Sequence, residues 1–292
     1  MSIPLISVII PTYHDWDRLQ LCLNALSNQT LSEDKFEIIV VNNDPDDIAP
    51  EILDIPSNAK IINESKPGSY AARNLAVRDA RGEIFAFTDS DCIPDSKWLE
   101  NGYNEFADKT RDRVGGAVLI FCEDDSNKTQ AELYDLIFAF QQKKAINKVG
   151  YSVTANLLVR RSSFMEVGAF NDALYSGGDH EWNIRANKKG LSLIYAPHVI
   201  VNHPARKTIE DLEKKVRRVM GSWKIPDNFF KRLYKRVYMI LSKILKPSLI
   251  VLKTRKITPK EKVRVIKVIL HLYFVSVDEY NRLIKGGKAK RA

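Results

Sequence analysis

Apolar runs and polar breaks alternate regularly along the first ninety residues. Residues 5–11 (LISVIIP) form a β-branched run stopped by proline, which predicts a buried strand. Residues 17–28 place Leu19, Cys22, Leu23 and Leu26 at helical spacing. A second buried strand is expected over 36–41 (FEIIVV), ending in the turn cluster Asn42-Asn43-Asp44-Pro45, and a short third over 59–62. Lys66-Pro67-Gly68 breaks the chain before a helix over 69–80, with Ser69 as its expected N-cap and Gly82 just past its end. Residues 83–91 (EIFAFTDSD) then run from an apolar strand into two aspartates, Asp89 and Asp91. Strand and helix in strict alternation predict an α/β fold with a doubly wound, mostly parallel sheet and helices on both faces.

Beyond Asp91 the rhythm loosens. Helix is expected over 96–106, strand over 115–122, and one helix over 130–146 with Leu133, Leu136, Ile137 and Phe140 on a shared face. Residues 153–159 read as strand and 179–189 as a helix closed by Gly190. A last strand follows over 191–196, and Pro204 ends the body. The C-terminal part differs in kind. Residues 229–245 set Phe230, Leu233, Tyr234, Val237, Leu241, Ile244 and Leu245 on one broad face, against Lys231, Arg232, Lys235, Arg236 and Lys243 on the other. This is a basic amphipathic helix. A second, more apolar helix over 263–277 is interrupted by Lys267 and His271, and either lies in a membrane interface or packs on the body. The expected organisation is one α/β domain over 1–205, in two halves (1–95 and 96–205), followed by a basic helical region (206–292).

Charge sharpens this division. From Ala205 onward there are 25 Lys and Arg against 7 Asp and Glu, whereas the preceding residues hold 20 against 29. An acidic body with a strongly basic tail points to an anionic partner. The 292 residues are 45% apolar, enough for a sizeable core. Three scattered cysteines, Cys22, Cys92 and Cys122, make neither a disulfide framework nor a zinc pattern, so a reducing compartment is expected. Neither a secretory leader nor a run of eighteen apolar residues is seen.

The chemistry lies where the strands end. A buried strand cannot carry unpaired carboxylates into a core, so Asp89 and Asp91 belong at its mouth, where open α/β sheets bind ligands. Two hard oxygen ligands there suit Mg²⁺ or Mn²⁺. Thr12, Tyr13, Asp15, Asn43 and Asp44, with Arg73 and Asn74 from the helix after the third strand, converge on the same edge. No glycine-rich dinucleotide fingerprint, P-loop or nucleophile elbow is present. Two alternatives remain at this level: a sugar-phosphate nucleotidyltransferase, and a non-enzymatic protein whose tail holds a membrane or nucleic acid.

Ser7-Val8-Ile9-Ile10-Pro11-Thr12-Tyr13, Ala72-Arg73-Asn74 and Thr88-Asp89-Ser90-Asp91 resemble the inverting GT-A glycosyltransferases of family two, of bacterial surface-glycan type. The resemblance continues through 154–161 (TANLLVRR) and 167–170 (VGAF) into Gly177-Gly178-Asp179-His180-Glu181-Trp182. It implies a GT-A-like sheet in which residues 1–95 are the nucleotide-sugar-binding half and 96–205 the acceptor-binding half of the same domain, with a nucleotide-sugar site from Pro11, Thr12, Tyr13, Asp15, Asn43, Asp44, Arg73, Asp89 and Ser90. It implies a Mg²⁺ or Mn²⁺ site at Asp91 with Asp89, and His203 as a further ligand or a packing residue. Asp179 is the implied general base, with Glu181 as the alternative, and Asn156, Gly178, Glu181 and Trp182 the acceptor side, Trp182 stacking on a sugar or lying in the core. Two departures bear on this. Family members commonly carry Asp-Asp after the second strand and Glu-Asp before the acceptor helix; here stand Asn42-Asn43 and Gly178-Asp179. The implied reaction is metal-assisted single displacement from a nucleotide-diphosphate sugar, UDP-linked by preference, to a glycan or lipid-linked acceptor in envelope polysaccharide synthesis. The C-terminal helices would hold an anionic membrane rather than nucleic acid, with the enzyme peripheral on its cytoplasmic face.

Overall fold

A computed structural model describes residues 3–223, 225–226 and 228–289. In chain order the elements are β1 (Ile6–Thr12), α1 (Trp16–Ser27), β2 (Phe36–Asn42), β3 (Ala59–Asn63), α2 (Ser69–Asp79), β4 (Ile84–Phe87), β5 (Ile93–Pro94), α3 (Trp98–Glu105) and β6 (Arg113–Phe121). They continue with α4 (Gln130–Phe138), α5 (Gln142–Val149), β7 (Leu157–Arg160), α6 (Arg161–Val167), α7 (Gly178–Lys188) and β8 (Leu193–Pro204). Four more helices follow: α8 (Ile209–Gly221), α9 (Phe229–Ile240), α10 (Lys246–Lys253) and α11 (Pro259–Ile284). Two compact units emerge, Met1–Leu119 with Phe140–His203, and Ile120–Ala139 with Pro204–Ala292.

The first unit is built on a sheet of order β3-β2-β1-β4-β7-β6-β8-β5. Strands β3, β2, β1 and β4 are parallel, so the ends of β1, β2 and β3 align as Thr12, Asn42 and Asn63. Strand β7 turns antiparallel to both β4 and β6. Alternate side chains along each strand feed two cores, as the twofold strand period requires. Ile6, Val8 and Ile10 pack with Leu19, Cys22 and Leu23 of α1 and Trp98 of α3. Ile9, Ile39, Phe85 and Phe87 pack on the other side with α2, α6 and α7. The doubly wound α/β expectation holds.

Local expectations were corrected at several places, and the last strand, expected over 191–196, continues as β8 to Pro204. The helix at Ser69 is capped by Gly68 at φ +124°, and Ser69 is already its first helical residue. Residues 130–146 form two helices, because Phe140 adopts φ +44° and packs its ring, tilted by 45°, against the imidazole of His203 at 4.6 Å. Helices α6, α8 and α10 were not expected; α6 and α10 are too short to show a clear period, whereas α8 carries Leu212, Val216 and Met220 at helical spacing, a signal present in the sequence.

The second unit is helical. Its cores join Ala131, Leu212, Val268 and Leu272; Leu133, Val251, Val265 and Ile269; and Met220, Met239 and Tyr280. Helices α4 and α11 each begin with a capping box, Thr129–Glu132 and Thr258–Glu261, which satisfies orphan N–H groups at their first turns. Among the described residues, no helix is long and apolar enough to cross a membrane.

Candidate active site

The aligned strand ends carry a continuous polar network. Asp15, at the N-cap position of α1, accepts from Arg18 Nε at 2.6 Å and from Ser90 Oγ at 3.0 Å. Burial pushes its carboxyl above the usual range, and Arg18 partly offsets this. Arg18 also reaches Asp91 at 3.7 Å. Asp91 in turn lies 3.4 Å from Nε2 of the buried His203 on β8. The ligand atoms of Asp91, Cys92 and His203 all fall within 4.8 Å of one another. A carboxylate oxygen and an imidazole nitrogen this close are a fitting donor pair for a divalent ion such as Mn²⁺. The packing role considered for His203 is also real, through Phe140.

Asp89 has a different partner. Arg73 of α2 is 3% exposed, and its Nη2 pairs with Asp89. Its Nε is buried without a hydrogen-bond partner among the described residues, as is Thr12 Oγ1 at the end of β1. Buried polar atoms are nearly always satisfied, so orphans at a sheet edge mark where a polar ligand would bind. The two aspartates are thus divided, Asp91 toward His203 and Asp89 toward Arg73.

Asp179 stands in the first turn of α7. Its Oδ1 accepts from His180 N–H at 2.8 Å and from Tyr70 Oη at 3.3 Å. Burial raises its pKa, while the His180 N–H, the Arg73 charge and the Tyr70 hydroxyl pull it back. Burial likewise pushes the Tyr70 phenol up. The helix carrying Asp179 is fixed from below by Arg113, fully buried on β6. Arg113 donates to Asn183 Oδ1 at 2.8 Å and Asn187 Oδ1 at 2.7 Å, and Asn183 Nδ2 donates to the Asp179 carbonyl at 2.9 Å. Burial holds the Arg113 pKa down to about 10. Gly178 is glycine for a steric reason: a Cβ there would lie 2.6 Å from the Tyr70 ring.

The other expected residues divide between rim and scaffold. Tyr13 is exposed on the rim, its ring edge-on to His14 at 4.2 Å. His14, at φ +50°, sits between Asp44 at 2.9 Å and Asp47 at 3.3 Å. Pro11 lies buried within β1. Asn43 donates to the Glu64 and Lys66 carbonyls and accepts from Gly68 N–H at 2.7 Å, so its side chain braces the loop before α2 and leaves Asp44 on the rim. Asn156 and Trp182 belong to the scaffold, not to an acceptor surface. Asn156 is fully buried, accepting from Trp98 Nε1 and donating to the Ala117 and Val199 carbonyls. Trp182 is fully buried, stacked on Phe164 at 5.2 Å and donating to the Gly168 carbonyl. Both sit on inward faces, where an aromatic or amide is spent on packing and satisfaction. Glu181 is engaged by Arg185 four residues on, at 2.8 Å. Tyr70, Arg18 and His14 were missed. Tyr70 stands three residues before Arg73 on one helix, a spacing that brings two side chains to one face.

The fold is of GT-A type, with this polar network at the edge where its parallel strands end. The match to the Glycosyl transferase family 2 model spans residues 7–168. The chain is 38% identical over 248 residues to glycosyltransferase AglE of Haloferax volcanii, covering 82% of this chain and 81% of that protein. It is 21% identical over 227 residues to a Methanococcus voltae dolichyl N-acetyl-α-D-glucosaminyl phosphate 3-β-D-2,3-diacetamido-2,3-dideoxy-β-D-glucuronosyltransferase, covering 72% of this chain and 70% of that one. Among solved structures, the mannosyltransferase PcManGT from Pyrobaculum calidifontis, in complex with GDP-Man and Mn²⁺, superposes with a TM-score of 0.57 at 20% identity, over 97% of this chain and 86% of that one. S. aureus TarS 1-349 in complex with UDP gives 0.54 at 15% identity, over 98% and 93%. The chain belongs to glycosyl transferase family 2 and is a glycosyltransferase.

Proposed function

We propose that this glycosyltransferase moves a sugar from a nucleotide-diphosphate donor to an acceptor hydroxyl in one inverting displacement, with Asp179 as general base. The observation that carries the reading is the Asp179–Tyr70–Arg73–Asp89 cluster, which joins a carboxylate of raised pKa to the carboxylates following β4. A base poised above the ordinary aspartate range accepts a hydroxyl proton more readily as the bond to the anomeric carbon forms. The donor's C–O bond breaks on the opposite face, and the nucleoside diphosphate leaves with the electron pair. Arg73 holds Asp89 at the donor side, Thr12, Tyr13, Asp15, Asp44 and Ser90 border the nucleotide, and Gly178 lets the acceptor helix approach Tyr70. Asp91 and His203 would hold a Mg²⁺ or Mn²⁺ ion, which when bound supplies charge to stabilise the leaving diphosphate.

The acceptor in this reading is a surface glycan or a lipid-linked sugar. The dolichyl-phosphate-linked acceptor in the name of the Methanococcus relative supports the second. A peripheral position on the cytoplasmic face of an anionic membrane belongs to the same reading, supported by the basic excess after Ala205. The donor panel that tests it contains UDP-, GDP- and dTDP-sugars, each read by thermal shift with and without Mn²⁺. Stabilisation by one donor, enhanced by the metal, is expected. Equal stabilisation with and without metal would remove the ion from the mechanism.

A further inference from the structure

Helix α9 faces the wrong way for a helix that only packs. Each residue of an α-helix advances about 100°. Phe230, Leu233, Tyr234, Val237 and Leu241 therefore share an arc of about 100°, and every one is exposed, Phe230 by 79% and Tyr234 by 72%. Met239, on the opposite side, is fully buried against Met220 and Tyr280. The apolar face looks outward while the contact with the rest of the unit is made through the polar side. There Arg236 donates to Asn281 of α11 at 3.0 Å, and Lys235 lies 4.2 Å from the Trp223 ring.

Between α9 and α10 the chain makes a π-turn, Leu241–Leu245. A π-turn takes one residue more than an α-turn, so everything after it is set back by about 100°. Without that step Val251 would rotate into the exposed arc and Leu249 out of it. With the step, Leu249 and Leu252 are exposed by 55% and 58% and Val251 is fully buried. The irregularity thus keeps one apolar stripe in phase along both helices. Helix α11 packs Val265, Val268, Ile269 and Leu272 into the core and leaves Val263, Leu270 and Phe274 exposed, apart in sequence from the continuous stripe of α9 and α10.

We propose that the stripe running from Phe229 to Leu252 is the surface that enters an anionic bilayer, with α9 and α10 lying in the plane of the headgroups. The proposal rests on the reading of an anionic membrane as partner and identifies what touches it. Charge decides among the candidate occupants. Lys231 on one side and Arg236 on the other border the stripe, within a region of 25 basic and 7 acidic residues. A second copy would bring like charge against like, whereas anionic headgroups neutralise it and the acyl boundary takes the rings.

The test is co-sedimentation of the full chain with vesicles of phosphatidylcholine alone and with about one quarter phosphatidylglycerol added. Binding to the anionic vesicles that weakens with salt is expected, reduced roughly tenfold or more by Phe230→Asp with Tyr234→Asp. Deletion of Ser242, which converts the π-turn to an α-turn, is expected to weaken binding with an unchanged circular dichroism spectrum. No binding by the unaltered chain would remove the membrane partner itself. Equal binding by chain and variants would keep the membrane and overturn the stripe as its contact. A dimer that Phe230→Asp dissolves in sedimentation velocity would make the stripe an interface between copies and overturn the proposal. Glycosyl transfer to a soluble acceptor, unaltered in these variants, separates this outcome from any failure of the active-site assignment.

Discussion

The strand-end rim of the first unit and the outer stripe of the second break the usual rule of burial in opposite ways. At the rim, polar and charged groups are withdrawn from water: Arg73 is buried against Asp89, and the His203 imidazole beside Asp91. On the stripe, rings and aliphatic chains are held in water: Phe230 and Tyr234 have their broad faces exposed. Buried charge is tolerated where partners compensate it, and the rim is laced by hydrogen bonds. Exposed apolar surface has no such compensation within its own helix. The rim is therefore a site that the protein completes largely by itself, and the stripe a surface that something else must complete.

The largest effect that would sharpen this contrast is at Asp91. Its replacement by alanine removes the carboxylate from the Asp91–His203 pair and is expected to lower turnover about 10³-fold, the scale of lost charge stabilisation at a leaving group. The Mn²⁺-dependent part of the donor thermal shift should vanish with it. Turnover near that of the unaltered enzyme would strip the pair of any part in the reaction. At Gly178 the expected effect is on stability. A Cβ would press within 2.6 Å of the Tyr70 ring. Gly178→Ala should thus destabilise by about 1–3 kcal/mol, the range for overpacking, seen as a lower midpoint in chemical denaturation. The smallest effect belongs to the stripe, where Phe230→Asp alone should change stability by no more than about 0.5 kcal/mol. A large loss there would mean that the ring is packed, and the contrast between rim and stripe would break.

Much of the rim was legible in sequence because its parts sit where strands end. Apolar runs stop at Thr12, at Asn42 and before Asp89, and a parallel sheet brings such ends to one edge. What periodicity cannot show is which polar residue is consumed by the scaffold. Asn43 and Asn156 look like ligands in a string of letters, yet each is saturated by backbone groups far away in sequence. Trp182 lies one turn on from Asp179 along the same helix, but its ring is used up in packing on Phe164 and Phe170 and in a hydrogen bond to the Gly168 carbonyl, while Asp179 sits in the first turn. The amphipathic face expected over 229–245 is present along α9, but the helix expected there changes to a π-turn at Leu241, and the continuation of the face was hidden. A π-turn shifts phase by one residue, so a regular helical wheel puts Val251 and Leu249 on the wrong sides. The break at Phe140 was likewise invisible, since an aromatic at positive φ carries no local signal.

The most direct measurement concerns Asp179→Asn. Asparagine keeps the shape of the side chain and its hydrogen-bonding reach but cannot take the acceptor's proton. Donor affinity should be unaltered, while turnover falls about 10²–10⁴-fold, the usual contribution of a general base. Because burial raises the Asp179 pKa above its unfolded value, its ionised form destabilises the fold at neutral pH. The variant should therefore melt no lower than the unaltered enzyme at pH 7, and any advantage should fade as the pH drops through the raised pKa. In the unaltered enzyme the acid limb of turnover should lie above the ordinary aspartate range. A folded Asp179→Asn enzyme that keeps its turnover, with the acid limb in place, would contradict the assignment of Asp179 as the base.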